Sequence, residues 1–282
     1  MRRSLPVRAL RQPAPPLILS CGCRDPLART PRTPDWAALL RAWDAQQESF
    51  NSDRERRFNA MLDVIAATLP KRFTALDLGS GPGSLSARLL RRFPSARSIA
   101  VDYDPVSLRV GQGALGNYGG RLTWVDAKLG GLGWTDRLPS RRIDVAVSTT
   151  ALHWLTEREL RLLYRDLGRL LPRGAIFLDG DHIPWGPRAP ELSRVAEKVR
   201  RVRLGDIPLD QEWEAWRRWW ARAERVPALR AEFAERARRA AEHPRHAEVP
   251  LEMHEYALAR AGFRDVGVVW QDFTNRVLFA RR

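Results

Sequence analysis

The stretch "TALDLGSGPGSLSARLL", residues 74–90, limits what this chain of 282 residues can become more than any other. Phe73 to Leu78 is a short, mostly apolar run of the kind that forms a parallel strand buried on both faces. From Ser84 onward, Leu85, Leu89 and Leu90 recur at helical spacing. Between them stand Gly79, Gly81 and Gly83. Glycines accept positive φ and carry no Cβ, so a ligand can lie against bare backbone at the positive end of the following helix. The pattern predicts strand, tight turn, helix, the opening of a βαβ nucleotide pocket. A turn that is merely glycine-rich is the alternative, and residues downstream have to decide.

In "SIAVDYDPVSL" a second apolar strand, Ser98 to Val101, ends in Asp102, 19 residues after Gly83. A βαβ nucleotide fold places a carboxylate there to accept hydrogen bonds from two ribose hydroxyls, with Tyr103 beside it at the strand end. Asp104 and Pro105 have the chemistry of an N-cap and a first-turn proline opening the next helix. Glycine loop plus acid suits both NAD and S-adenosylmethionine (SAM). A dinucleotide turn is usually G-x-G-x-x-G, with a pyrophosphate on the helix N-terminus; here the third glycine comes one residue early, after Asp77. SAM brings no phosphate. Its ammonium and sulfonium favour nearby carboxylates, a need that Asp77 meets.

Further motifs follow in order: "TWVDAKL", "RIDVAVSTTALHWL", "LLPRGAIFLDGD" and the closing "EYALARAGFRDVGVVWQDFTNRVLFARR". With these the chain resembles the class I SAM-dependent methyltransferase family from about Leu76 to the C-terminus, and "ALHWL" at 151–155 is similar to the trans-aconitate-methyltransferase-like small-molecule enzymes. The resemblance implies an α/β fold: a seven-stranded Rossmann-like sheet with helices on both faces, the seventh strand antiparallel. It also implies SAM as cofactor, Asp126 accepting from the adenine amino group, and Ala127 donating its backbone N–H to the ring. The family's nucleic-acid signatures are missing, since "STTALHW" stands where N-P-P-[YF] would close the fourth strand and no Pro-Cys nucleophile is present.

The net charge of +15, from 48 basic and 33 acidic residues, raises an RNA partner as an alternative. The arginines are scattered through helices that also carry glutamates, and the strands lack aromatics interleaved with a basic stripe, which argues against nucleic acid. Residues 1–34 hold seven arginines, one acid and many prolines, the composition of a disordered tail. Cys21 and Cys23 are the only cysteines; two thiols alone make no zinc site, so no metal is expected, and free thiols suit a cytoplasmic protein. No stretch reaches the roughly 20 apolar residues of a membrane span.

The expected organisation is therefore the tail, a SAM-binding domain over 35–182 and 249–282, and a helical insertion over 183–248 covering the substrate. In that insertion Trp213, Trp216 and Trp220 share a face with Trp219 beside them, a stripe read mainly as core. Ahead of the first strand, Trp36, Leu39, Leu40 and Trp43 line one helix. Thr156 and Glu159 form a capping box, which leaves His153 in the loop at the carboxyl end of the fourth strand, where open α/β sheets bind ligands. His153 and His182, after the fourth and fifth strands, are candidate bases, with Asp181 placed to orient His182 or to cap its loop. The expected activity is O- or carboxyl-methylation of a small molecule by a monomer or homodimer. An RNA methyltransferase, or a SAM- or NAD-binding protein without methyl transfer, is the alternative.

Overall fold

The computed structural model describes residues 33–50, 53–204, 209–240 and 249–282; the basic tail, Cys21, Cys23, His243 and His246 lie outside them, as does the side chain of Trp213. Two helices, α1 (Trp36–Phe50) and α2 (Arg54–Thr68), precede the sheet. Strands and helices then alternate: β1 (Thr74–Leu78), α3 (Ser84–Arg92), β2 (Arg97–Asp102), α4 (Pro105–Leu115), β3 (Leu122–Asp126), β4 (Val145–Thr149), α5 (Glu157–Leu170) and β5 (Ile176–His182). Three helices follow, α6 (Pro190–Leu204), α7 (Leu209–Glu224) and α8 (Arg230–Ala240). The described chain closes with α9 (Leu251–Arg260), β6 (Arg264–Asp272) and β7 (Asn275–Arg281).

The strand order is β3-β2-β1-β4-β5-β7-β6, parallel as far as β5, with β7 antiparallel to both of its neighbours. This is the class I methyltransferase arrangement that the closing segment predicts. The two-residue period of the strands sends alternate side chains to two cores. Leu76, Leu78, Val101, Ala146 and Phe177 meet α5 and α9 on one face. Ala75, Ala100, Val145, Val147 and Leu178 meet α2 and α3 on the other.

Local signals hold where they are strongest. Asp104 accepts the N–H of Ser107 with Pro105 in the first turn of α4, and Thr156 and Glu159 close a reciprocal capping box on α5. The fourth strand, expected over 143–148, runs over Val145–Thr149 instead. Its expected start is taken by a side chain: the Asp144 carboxylate accepts the Thr74 N–H at 2.8 Å.

The described part of the segment between β5 and α9 carries α6, α7 and α8, and of its tryptophans Trp219 is core, with Trp220 partly buried against the same cluster. Trp219 is buried with Leu39 of α1, Val106 and Val110 of α4, Ala223 and Leu229, and its Nε1–H donates to the Leu39 carbonyl at 3.0 Å. Trp43 of α1 packs edge-on against Trp219 and Trp220, with ring centroids 4.8 and 6.3 Å apart.

Candidate functional site

The site lies at the carboxyl ends of β1, β2, β4 and β5, where the strand order reverses between β1 and β4. Gly79, Gly81 and Gly83 have φ of 66°, 54° and 84°, a region open to glycine and costly for other residues. At Gly79 a Cβ would lie 2.4 Å from the Ala151 Cβ, so the loop passes directly under the end of β4. Gly79→Ala adds this clash to the backbone strain and is expected to cost about 2 to 4 kcal/mol of stability. Gly116→Ala, with open space around its Cβ but at φ of 57° and ψ of −136°, is expected to cost about 1 to 3 kcal/mol from backbone strain alone. Chemical denaturation of the two variants checks the contrast.

Asp102 sits half-buried at the end of β2 and accepts the N–H of Gly81 at 2.6 Å and of Asp104 at 2.8 Å. Burial pushes its carboxyl up to about 6, against the pull of these N–H groups. Trp43 lies over the loop, its indole 3.6 Å from where a Gly81 Cβ would stand. Aromatic spacing in α1 gives the helix but not this contact.

Three of the expected cofactor residues have partners within the protein. Asp77 is buried at 1% exposure beneath the loop, where one carboxylate oxygen takes the Ser86 hydroxyl and N–H at 2.6 and 3.2 Å and the other has no partner. Burial raises its pKa to about 7. Its hydrogen bonds go to the first turn of α3. The Ala127 N–H, expected to meet the adenine ring, donates to the Asp102 carbonyl at 2.9 Å, because the β2–β3 ladder runs on past Asp126. Asp126 itself is held by Arg239 of α8 through two hydrogen bonds of 2.8 and 2.7 Å.

The N–H groups of the glycine loop are largely engaged within the protein. The N–H groups of Gly79 and Ser80 go to the Val101 carbonyl, that of Gly81 to Asp102, that of Gly83 to the Ser80 carbonyl and that of Ser86 to Asp77. Asp44 of α1 adds a second carboxylate at the start of α3, accepting the Ser84 hydroxyl at 2.6 Å and pairing with Arg54 and Arg88. A diphosphate would find these loop donors already engaged. A nucleoside with a cationic tail and no phosphate fits these residues.

Toward β4 and β5 the site becomes a polar cluster. The buried Asp181 carboxylate accepts His153 Nδ1 at 2.7 Å and the His153 and His182 backbone N–H groups at 3.2 and 2.8 Å. Its pKa lies well below the carboxylate range: the pull of His153, Arg57 and His182 outweighs the upward push of burial. Asp181 thus orients the His153 side chain and also caps the backbone N–H of His182, whose residue is exposed at the end of β5. Asp179, two residues back, is fully buried with neither carboxylate oxygen hydrogen-bonded, and burial beside Asp181 pushes its pKa up.

Arg57 of α2 was not foreseen. Fully buried, it donates to Asn275 Oδ1, Thr149 Oγ1 and Thr150 Oγ1, and burial lowers its pKa to about 10. Thr150 has φ of 52°, rare for a β-branched residue and characteristic of strained sites. Among the described residues no group of three His, Cys, Asp or Glu stands close enough to hold a metal ion, and no helix is long and apolar enough to cross a membrane.

A family model described as "Methyltransferase domain" matches residues 75–174. Trans-aconitate 2-methyltransferases of Azoarcus sp. (strain BH72) and Rhodococcus jostii (strain RHA1) are each 32% identical to the chain, over 48% and 59% of its length. The chain spans 49% and 61% of those relatives. Among solved structures, an O-methyltransferase family 2 protein from Planctomyces limnophilus DSM 3776 in complex with apigenin aligns with a TM-score of 0.53 at 18% identity, covering 88% of this chain and 62% of that one. A putative O-methyltransferase from Nostoc punctiforme PCC 73102 aligns with a TM-score of 0.53 at 15% identity, covering 90% and 62%. At such identities the structural likeness speaks for the fold alone. Sheet order and family match agree: the chain carries a class I SAM-dependent methyltransferase domain, distantly homologous to the trans-aconitate 2-methyltransferases.

Proposed function

We propose that the chain transfers the methyl group of SAM to a hydroxyl of a small acceptor. The observation that carries this reading is the Asp181–His153 pair at the mouth of β4 and β5, next to the glycine loop. The bound cofactor supplies a methyl group already activated on a sulfonium. Asp102 holds the ribose hydroxyls, and the loop from Gly79 to Gly83 lets the cofactor lie on the backbone. Asp181, ionised, accepts from His153 Nδ1–H and so fixes the tautomer that leaves Nε2 basic. His153 Nε2 takes the acceptor's hydroxyl proton while the surrounding residues hold the oxygen in line with the methyl group and exclude water. Residues 183–248, placed between β5 and α9, cover the acceptor.

Carboxyl methylation is the second reading. The named relatives act on trans-aconitate. A carboxylate needs no proton removed, and the buried cation of Arg57 stands behind the Thr149 and Thr150 hydroxyls at the same strand end.

Calorimetric titration with SAM, S-adenosylhomocysteine and NAD in parallel tests the foundation. Binding of both adenosyl compounds without NAD is expected. Binding of NAD alone sinks the reading. Labelled SAM with pools of small hydroxylated acids, and separately with bulk RNA, then reads the acceptor class, and label in RNA would replace the small molecule.

A further inference from the structure

The acid expected to receive the adenine amino group already has an occupant. Arg239, at the C-terminal end of α8, presents a planar guanidinium with N–H groups along one edge. Two of its nitrogens donate to the two oxygens of Asp126, and one donates also to the Tyr103 carbonyl at 2.6 Å. The guanidinium carbon lies 4.5 Å from the centre of the Tyr103 ring, a stacking distance. An adenine at the ends of β2 and β3 would ask for the same things: an aromatic face to stack on and an acceptor for an edge N–H. The other expected adenine contact, the Ala127 N–H, is likewise spent, on Asp102.

The rest of α8 fixes this arrangement. Glu235 pairs with Arg239 one turn away and so orients it. Arg236 reaches Asp104 at 2.6 Å while its guanidinium lies 3.9 Å from the centre of a Trp220 ring. Glu232 stands 3.7 Å from Arg109 of α4. One face of α8 is thus tied to the residues that follow β2, with Arg239 as its innermost contact at 14% side-chain exposure.

We propose that Arg239 is a built-in occupant of the adenine subsite, so that cofactor binding exchanges the guanidinium for the adenine ring and frees the C-terminal end of α8 from the sheet. This rests on the cofactor reading above. Its consequence is that the helix covering the site and the cofactor compete for Asp126 and the Tyr103 ring, which couples opening of the cover to the loading state of the enzyme. When one conformer has to be left before a ligand binds, the apparent affinity falls by the fraction of open molecules.

The test is titration of the full chain with S-adenosylhomocysteine, comparing the wild type with Arg239→Met, which keeps the aliphatic stem and removes the cation. The variant is expected to bind roughly threefold to tenfold more tightly, the factor by which an occupied subsite taxes affinity. Asp126→Asn, which keeps a carbonyl for the adenine amino group and removes the ion pair, is expected to tighten binding in the same direction. In the wild type, hydrogen exchange of the amides of 231–239 is expected to rise when S-adenosylhomocysteine is added. Equal or weaker binding by a cooperatively melting Arg239→Met overturns the proposal, since Arg239 then clamps the ligand or stands apart from it. Failure of both wild type and variant to bind, with native melting, overturns the cofactor reading and this inference with it.

Discussion

Asp102→Ala is expected to weaken S-adenosylhomocysteine binding by more than tenfold. A pair of hydrogen bonds from ribose hydroxyls to an ionised carboxylate is worth about 1.5 to 3 kcal/mol each, and tenfold in affinity needs only about 1.4 kcal/mol. Asp102 also accepts the N–H groups of Gly81 and Asp104, so alanine leaves two backbone donors unpaired and lets the loop relax. Asp102→Asn keeps one of the two oxygens that accept the Gly81 and Asp104 N–H groups and loses the charge, so an intermediate loss is expected. The same assignment fixes a pH dependence. With the Asp102 carboxyl raised to about 6 by burial, the accepting form is present above that pH and is lost below it. Wild-type affinity is thus expected to be level from about pH 7 upward and to fall as pH drops through about 6, and Asp102→Asn removes this component. Calorimetry across pH reads both, and unchanged affinity in a folded Asp102→Ala would falsify the ribose assignment.

The second large effect concerns turnover. His153→Asn is expected to lower kcat by about 100-fold or more on a hydroxyl acceptor, the range for loss of a positioned base, with S-adenosylhomocysteine affinity nearly unchanged. Asp181→Asn is expected to approach the same loss for a different reason. Its amide can donate to Nδ1, which stabilises the wrong tautomer and puts the proton on Nε2. Asp179→Asn is the control: it puts amide donors where neither oxygen has a partner, so melting is expected to fall while turnover by the folded variant stays close to wild type. Single-turnover methylation with labelled SAM measures all three. If His153→Asn keeps its rate while Arg57→Met raises KM for the acceptor, carboxyl methylation is the better account.

The sequence carried the scaffold further than the site. Alternating strand burial, the glycine loop, the acid at the end of β2 and two helix caps depend on residues within a few positions of one another, and periodicity and capping chemistry report such neighbours well. Asp77 shows where this stops. On a strand buried on both faces the one-dimensional pattern does not say which way an acid points, and this one points under α3. Asp181 orients His153 from 28 residues away. Arg57 and Asn275 meet across 218 residues, and Arg239 and Asp126 across 113. No spacing rule announces such pairs, because they exist only once β4, β5, β7 and the helices between them have been laid side by side. The surplus of arginines in the composition hints at an external anion, yet several of them turn out to face internal carboxylates.

The small core in which Trp219 meets Leu39, Val106 and Val110 bears on how this protein can be recombined with others. The helices after β5 do not form a module that lifts off cleanly. Part of their anchorage is α1, more than 150 residues earlier in the chain, through the Trp219 hydrogen bond to the Leu39 carbonyl and the edge-on contact with Trp43. A chimera that imports another enzyme's segment between β5 and α9 therefore has to import its partner for α1 as well. The segment is sutured to the N-terminal helix, and a graft of the segment alone would leave one side of that seam open over the glycine loop.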